Sequence, residues 1–128
     1  MNEPPRWPDV DKFILGHIES VPHLEALLLI WNRRTRCWTV DDIAAALYVS
    51  GREAQKILRD LAQENLISES QASASRYSYS PSPQQDDLMG RLDSSYRRDL
   101  IRISRMIHSK GPSALREFAR AFRLKKEE

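Results

Sequence analysis

The sequence predicts a mainly α protein with one small β-hairpin, and three stretches carry that prediction. Residues 39–65 hold two short amphipathic patterns joined by a tight turn, residues 66–80 hold two short runs around a small polar tip, and residues 84–108 hold one long apolar seam at helical spacing. At 128 residues and 41% hydrophobic content, the chain has room for one compact core and an appendage, but not for two ordinary domains.

Pro4, Pro5 and Pro8 fix extended backbone at the start, giving an arm that Trp7 can anchor. Asp9 is placed to cap a short helix carrying Val10, Phe13, Ile14 and Ile18, and Pro22 imposes a break after Ser20. The same proline suits the first position of a further helix over residues 23–33, whose LEALLLIW run is apolar nearly all round and therefore central. Cys37 and Trp38 suit a short strand.

Thr39, followed by Asp41 and Asp42, supplies a side-chain acceptor and negative charge for a first turn, so a helix begins near Val40. Ile43, Ala44, Leu47 and Tyr48 form its inward stripe, and Tyr48 closes it. Val49-Ser50-Gly51 then turns the chain, with Ser50 as the cap of a second helix. That helix turns Ala54, Ile57, Leu58 and Leu61 inward, while Arg52, Glu53, Gln55, Lys56, Arg59 and Gln63 make a polar, partly basic outer face. A helix, a tight turn and a second helix with such a face make a helix-turn-helix, whose second helix can enter a major groove. Asn65 is suited to a left-handed cap, residues 66–69 to a strand, and RYSYS over residues 76–80 to its return, with a polar tip between.

With its hairpin, this stretch resembles the winged helix-turn-helix domains of bacterial transcription regulators, through CWTVDDIAAAL, SGREAQKILRDLAQENLI and the RYSYSP return strand. The resemblance covers roughly residues 22–81. It implies a non-enzymatic protein that contacts double-stranded DNA through Ser50, Arg52, Gln55, Lys56 and Arg59 of the second helix and Arg76 of the wing. Arg, Lys and Gln are side chains that read guanine, adenine and phosphate.

Ser80-Pro81-Ser82-Pro83 is a stiff linker. Beyond it, Leu88, Leu92, Tyr96, Leu100, Ile103 and Ile107 fall at steps of 4, 4, 4, 3 and 4, the seam of one helix over residues 84–108. Such a helix is about 37 Å long, more than a small winged domain covers, so self-association through Leu92, Tyr96, Leu100, Ile103 and Ile107 is the simplest use of the seam. A further helix is expected over residues 113–125, with Leu115, Phe118, Ala119 and Phe122 on one face. The organisation expected is therefore an arm and short helix (1–21), a winged helix-turn-helix domain (22–81) and a C-terminal helical dimerisation or interaction segment (84–128).

Charge is uneven along the chain. The net is +2, but residues 1–70 hold 8 Lys and Arg against 11 Asp and Glu, while residues 71–128 hold 12 against 7. A basic footprint concentrated in the tail leaves a second reading open, a winged-helix protein adaptor whose tail binds an acidic partner or a membrane surface. Catalysis is not expected. His17, His23 and His108 are scattered, Asp41-Asp42 is a helix start, and the glycines at 16, 51, 90 and 111 form no phosphate loop. The single Cys37 and the absence of any Cys/His cluster with ligand spacing point to a reducing cytoplasm and no metal or other cofactor. No apolar run approaches the ~18 residues of a membrane span.

Overall fold

A computed structural model describes residues 7–70, 75–80 and 83–110. The start of the N-terminal arm, the wing tip at 71–74, the linker residues 81 and 82 and the expected helix over 113–125 lie outside the described residues. The fold is a winged helix-turn-helix flanked by helices on both sides, in the order α1 (Pro8–His17), α2 (Val21–Asn32), α3 (Val40–Leu47), α4 (Gly51–Gln63), β1 (Ile67–Ser70), β2 (Arg76–Tyr79), α5 (Pro83–Arg98) and α6 (Leu100–Lys110).

The helix starts follow local chemistry. Pro8 occupies the first position of α1, where its missing N–H costs nothing, so Trp7 and not Asp9 is the cap residue. Asp9 instead accepts from the Val10 N–H within the first turn. Ser20 caps α2 by accepting from the His23 N–H, and α1 and α2 meet at 114°. Thr39 and Asp42 form a reciprocal capping box on α3: the Thr39 hydroxyl accepts from Asp42 N–H at 3.1 Å and the Asp42 carboxylate accepts from Thr39 N–H at 3.0 Å. That backbone bond, helped by Arg36, holds the Asp42 carboxyl below its ordinary range. Ser50 caps α4, accepting from Glu53 N–H at 3.1 Å.

β1 and β2 pair antiparallel in the register Ile67↔Tyr79 to Ser70↔Arg76. Where Cys37 and Trp38 suited a short strand, Trp38 makes a single bridge to β2, exchanging both backbone hydrogen bonds with Tyr77 at 2.7 Å. Asn65 takes the left-handed conformation, φ 60°, and lets the chain turn from α4 into β1.

One buried cluster unites the whole: Val10 and Ile14 of α1, Leu24, Leu27 and Ile30 of α2, Ile43, Ile57, Leu58 and Leu61 of the helix-turn-helix, and Met89, Leu92, Ile103 and Ile107 from the C-terminal helices. Two expectations fall here. The single helix over 84–108 is bent at Asp99 into α5 and α6, although Asp99 N–H still reaches Ser95 O and Ile103 N–H still reaches Asp99 O. The bend lays α6 against α1 and α2. Consequently Leu92, Ile103 and Ile107, expected at a dimer seam, are buried inside the chain itself, and the Tyr96 hydroxyl donates to Glu25 of α2 at 3.0 Å. Burial and that carboxylate push the Tyr96 phenol up to about 12. Of the five seam residues, Leu100 alone is exposed, at 48%.

Ion pairs clamp the ends of the fold. Arg91 of α5 donates to Asp9 at 2.6 Å, Arg102 of α6 to Asp11 at 3.1 Å, and the Arg98 guanidinium covers the Trp7 ring at 5.3 Å. Trp7, expected to anchor the arm, is held by Arg98 just before α1, while the arm that precedes it lies outside the described residues.

Candidate nucleic-acid interface

The outer face of α4 has the amphipathic logic of its sequence. Ala54, Ile57, Leu58 and Leu61 are buried, which forces Arg52, Gln55, Lys56 and Arg59 on to the opposite side, all exposed. Arg52, Gln55 and Arg59 make no hydrogen bond or ion pair with any described residue, so their donors and acceptors are open to a ligand. Ser50 is exposed at the helix start, with its oxygen engaged in the cap. Arg76, at the tip-proximal end of β2, is exposed as well.

Arg59 stands toward the wing. Burial and then the Glu69 carboxylate raise the Tyr77 phenol, and the Arg59 charge partly offsets them.

Lys56 departs from the sequence reading. Its ammonium donates to Asp60 at 2.7 Å and to Glu19, in the α1–α2 corner, at 3.2 Å. Behind it the buried His23 donates from Nε2 to Asp60 at 2.9 Å, with the Ser20 hydroxyl on the other ring nitrogen. Hydrogen bonding to Asp60 holds the Lys56 ammonium above its ordinary pKa. For Asp60, partial burial works to raise the carboxyl, but Lys56, His23 and Glu19 outweigh it and hold the group below its ordinary value. Glu19, His23 and Asp60 bring ligand-type atoms within 4.8 Å of one another, a grouping of metal-binding type, but the Lys56 ammonium already sits on both carboxylates. Sequence spacing could not reveal this cluster, because Glu19 and His23 meet Asp60 and Lys56 only through the fold.

Tyr48 closes α3 as expected, but it does not belong to the inward stripe. Its assignment to the inward stripe of α3 assumed that the helix still ran through it. Instead α3 ends at Leu47, and Tyr48 takes φ 58° and ψ 44° as the left-handed cap, with Val49 N–H reaching back to Ala44 O at 3.1 Å. The left-handed turn swings the ring out of the stripe, and Tyr48 is 95% exposed.

No protein-family model matches the sequence, and comparison with curated proteins found no match. Solved structures share the fold. A possible transcriptional regulator from Methanosarcina mazei Go1 is 16% identical, with a TM-score of 0.55 over 78% of this chain and 92% of that one. MepR of Staphylococcus aureus, in complex with DNA, is 14% identical, with a TM-score of 0.56 over 92% of this chain and 88% of that one. ZitR of Lactococcus lactis, a C30AH42A mutant, is 15% identical, with a TM-score of 0.52 over 84% and 73%. At such identities the likeness concerns the arrangement of helices and wing. No single helix among the described residues is long and apolar enough to cross a membrane.

Proposed function

We propose that this chain is a non-enzymatic, cytoplasmic winged-helix protein that binds double-stranded DNA and regulates transcription as a homodimer. The observation that carries the reading is the outer face of α4, where Arg52, Gln55 and Arg59 are exposed with no hydrogen-bond or ion-pair partner among the described residues, together with the exposed wing residue Arg76. An α4 inserted in a major groove would set its N-terminal side chains against base edges while Arg59 and Arg76 meet phosphate. The solved complex of MepR with DNA, in a similar fold, supports this use of the surface.

Of the expected seam, Leu100 is the exposed residue left for dimerisation, and other exposed apolar side chains accompany it. Leu15 on α1 and Leu100 and Ile101 on α6 are exposed at 46%, 48% and 67%, on helices that pack against each other. A two-fold pair would read two half-sites one helical turn apart.

The competing reading is a protein-docking winged helix with a basic tail, favoured by the balance of 8 basic to 11 acidic residues over positions 1–70. Titration against a mixed-sequence duplex at several salt concentrations separates the two. Phosphate contacts by Arg59 and Arg76 give a log–log salt slope of roughly −2 per protomer, about −0.9 for each phosphate neutralised. Binding that is absent, or indifferent to salt, would favour the adaptor.

A further inference from the structure

The chain places a bulky aromatic residue at the one backbone position of the helix-turn-helix that suits glycine. Tyr48 has φ 58°, in the left-handed region where a Cβ crowds the following carbonyl. The other described non-glycine residue with positive φ is Asn65, a type that tolerates this conformation. Among the described residues the Tyr48 side chain gains nothing to offset that strain: the ring is 95% exposed, and no hydrogen bond or ion pair engages the hydroxyl. Leu15, Leu100 and Ile101, the other exposed large apolar residues, lie within helices, whereas Tyr48 stands in the turn immediately before the α4 cap Ser50.

We infer that Tyr48 is a DNA-contacting residue, which donates its hydroxyl to a backbone phosphate at the rim of the groove and lays its ring on the adjoining deoxyribose. The inference rests on the DNA-binding reading above and adds a residue to it. With α4 in the groove, the turn that precedes its N-terminus faces the strand bordering the groove, where tyrosine hydroxyls commonly meet phosphate. Strain kept at an exposed position, with no internal contact in return, is what a residue selected for an external partner leaves behind. An unconstrained ring also carries little penalty on binding, having only two side-chain torsions to fix.

The test uses the full chain, a fluorescent mixed-sequence duplex, and the variants Tyr48→Gly and Tyr48→Phe, with thermal melting run in parallel. Tyr48→Gly removes the strain together with the ring, so its melting temperature should rise while its DNA affinity falls about tenfold or more. Tyr48→Phe keeps the ring and loses the donor, so its affinity should fall about tenfold, the lower end for one hydrogen bond to a charged acceptor. Opposite movements of stability and affinity cannot come from a residue that only shapes the turn. If the native chain binds the duplex and Tyr48→Gly binds it equally well, the role of Tyr48 is overturned while the DNA-binding reading stands. If the native chain does not bind at all, both are lost.

Discussion

Lys56 lies on the right face of α4 for a phosphate, yet its charge is already shared between Asp60 and Glu19. Releasing it to DNA would abandon two charge-assisted hydrogen bonds for one, so Lys56→Ala should weaken duplex binding less than Arg52→Ala or Arg59→Ala. A titration in which Lys56→Ala is the most damaging of the three would show that the cluster opens on binding. The same cluster sets a pH dependence. The Asp60 carboxyl is held below 3.8 in the folded chain, so its contribution to stability is present above that value and fades as pH falls through the folded pKa. Lys56 is held above 10.5, so its contribution is present below that value and fades as pH rises through the folded pKa. Asp60→Asn, which weakens the acceptor for both Lys56 and His23, should cost about 1 to 3 kcal/mol near neutrality. Melting curves of the two proteins should converge below pH 3.8 and, less completely, above pH 10.5. A constant gap across that range would mean that the charge of Asp60 does not matter. The position of Lys56 on the helix was legible from spacing alone. Its partners were not, because Glu19 comes from a corner 37 residues earlier and only the packing of α2 on α4 delivers it.

At the scale of elements, local signals were the readable ones. The Thr39 and Ser50 caps and the left-handed Asn65 all follow from side chains acting on their immediate neighbours. Thr39→Ala should therefore cost about 1 kcal/mol, within the usual 0.5 to 2, measured by denaturant unfolding, with the slope of the transition unchanged. A loss near zero would show that Asp42 alone sustains the start of α3. The bend at Asp99 was hidden for a related reason. Helical periodicity runs through it without a skipped residue, and no proline or glycine marks it, so Leu88 to Ile107 reads as one stripe. What the sequence pattern lacks is the destination of α6, which the Arg102–Asp11 pair and the burial of Ile103 and Ile107 define. Tyr48 was misread because a stripe was carried one residue past the end of its helix, where periodicity no longer sets direction.

For the whole molecule, the burial of most of the seam changes how self-association must be tested. Ile103 is completely buried, so a charge there would unfold the protomer and say nothing about a partner. Leu100→Glu with Ile101→Glu touches only exposed positions. In sedimentation the native chain should exceed its 14.9 kDa monomer mass at micromolar concentration, and the double variant should return to it with its circular dichroism unchanged. A native chain that stays at monomer mass at every concentration would remove the homodimer from the proposal.

The clamp between α1 and the C-terminal helices also imposes a timetable. Asp9 and Asp11 find their partners Arg91 and Arg102 only 82 and 91 residues later. At a synthesis rate of roughly 5 to 20 residues per second, the apolar side of α1 therefore waits on the order of 5 to 20 seconds for its cover to be made. Chains stalled on the ribosome with only the first 98 residues emerged should expose α1 to protease, while chains with 110 emerged should resist. Equal resistance at both lengths would mean that α1 docks without α6. Among the described helices α1 is thus among the last to be covered, and during that wait Val10, Phe13 and Ile14 stand open to a neighbour's hydrophobic surface.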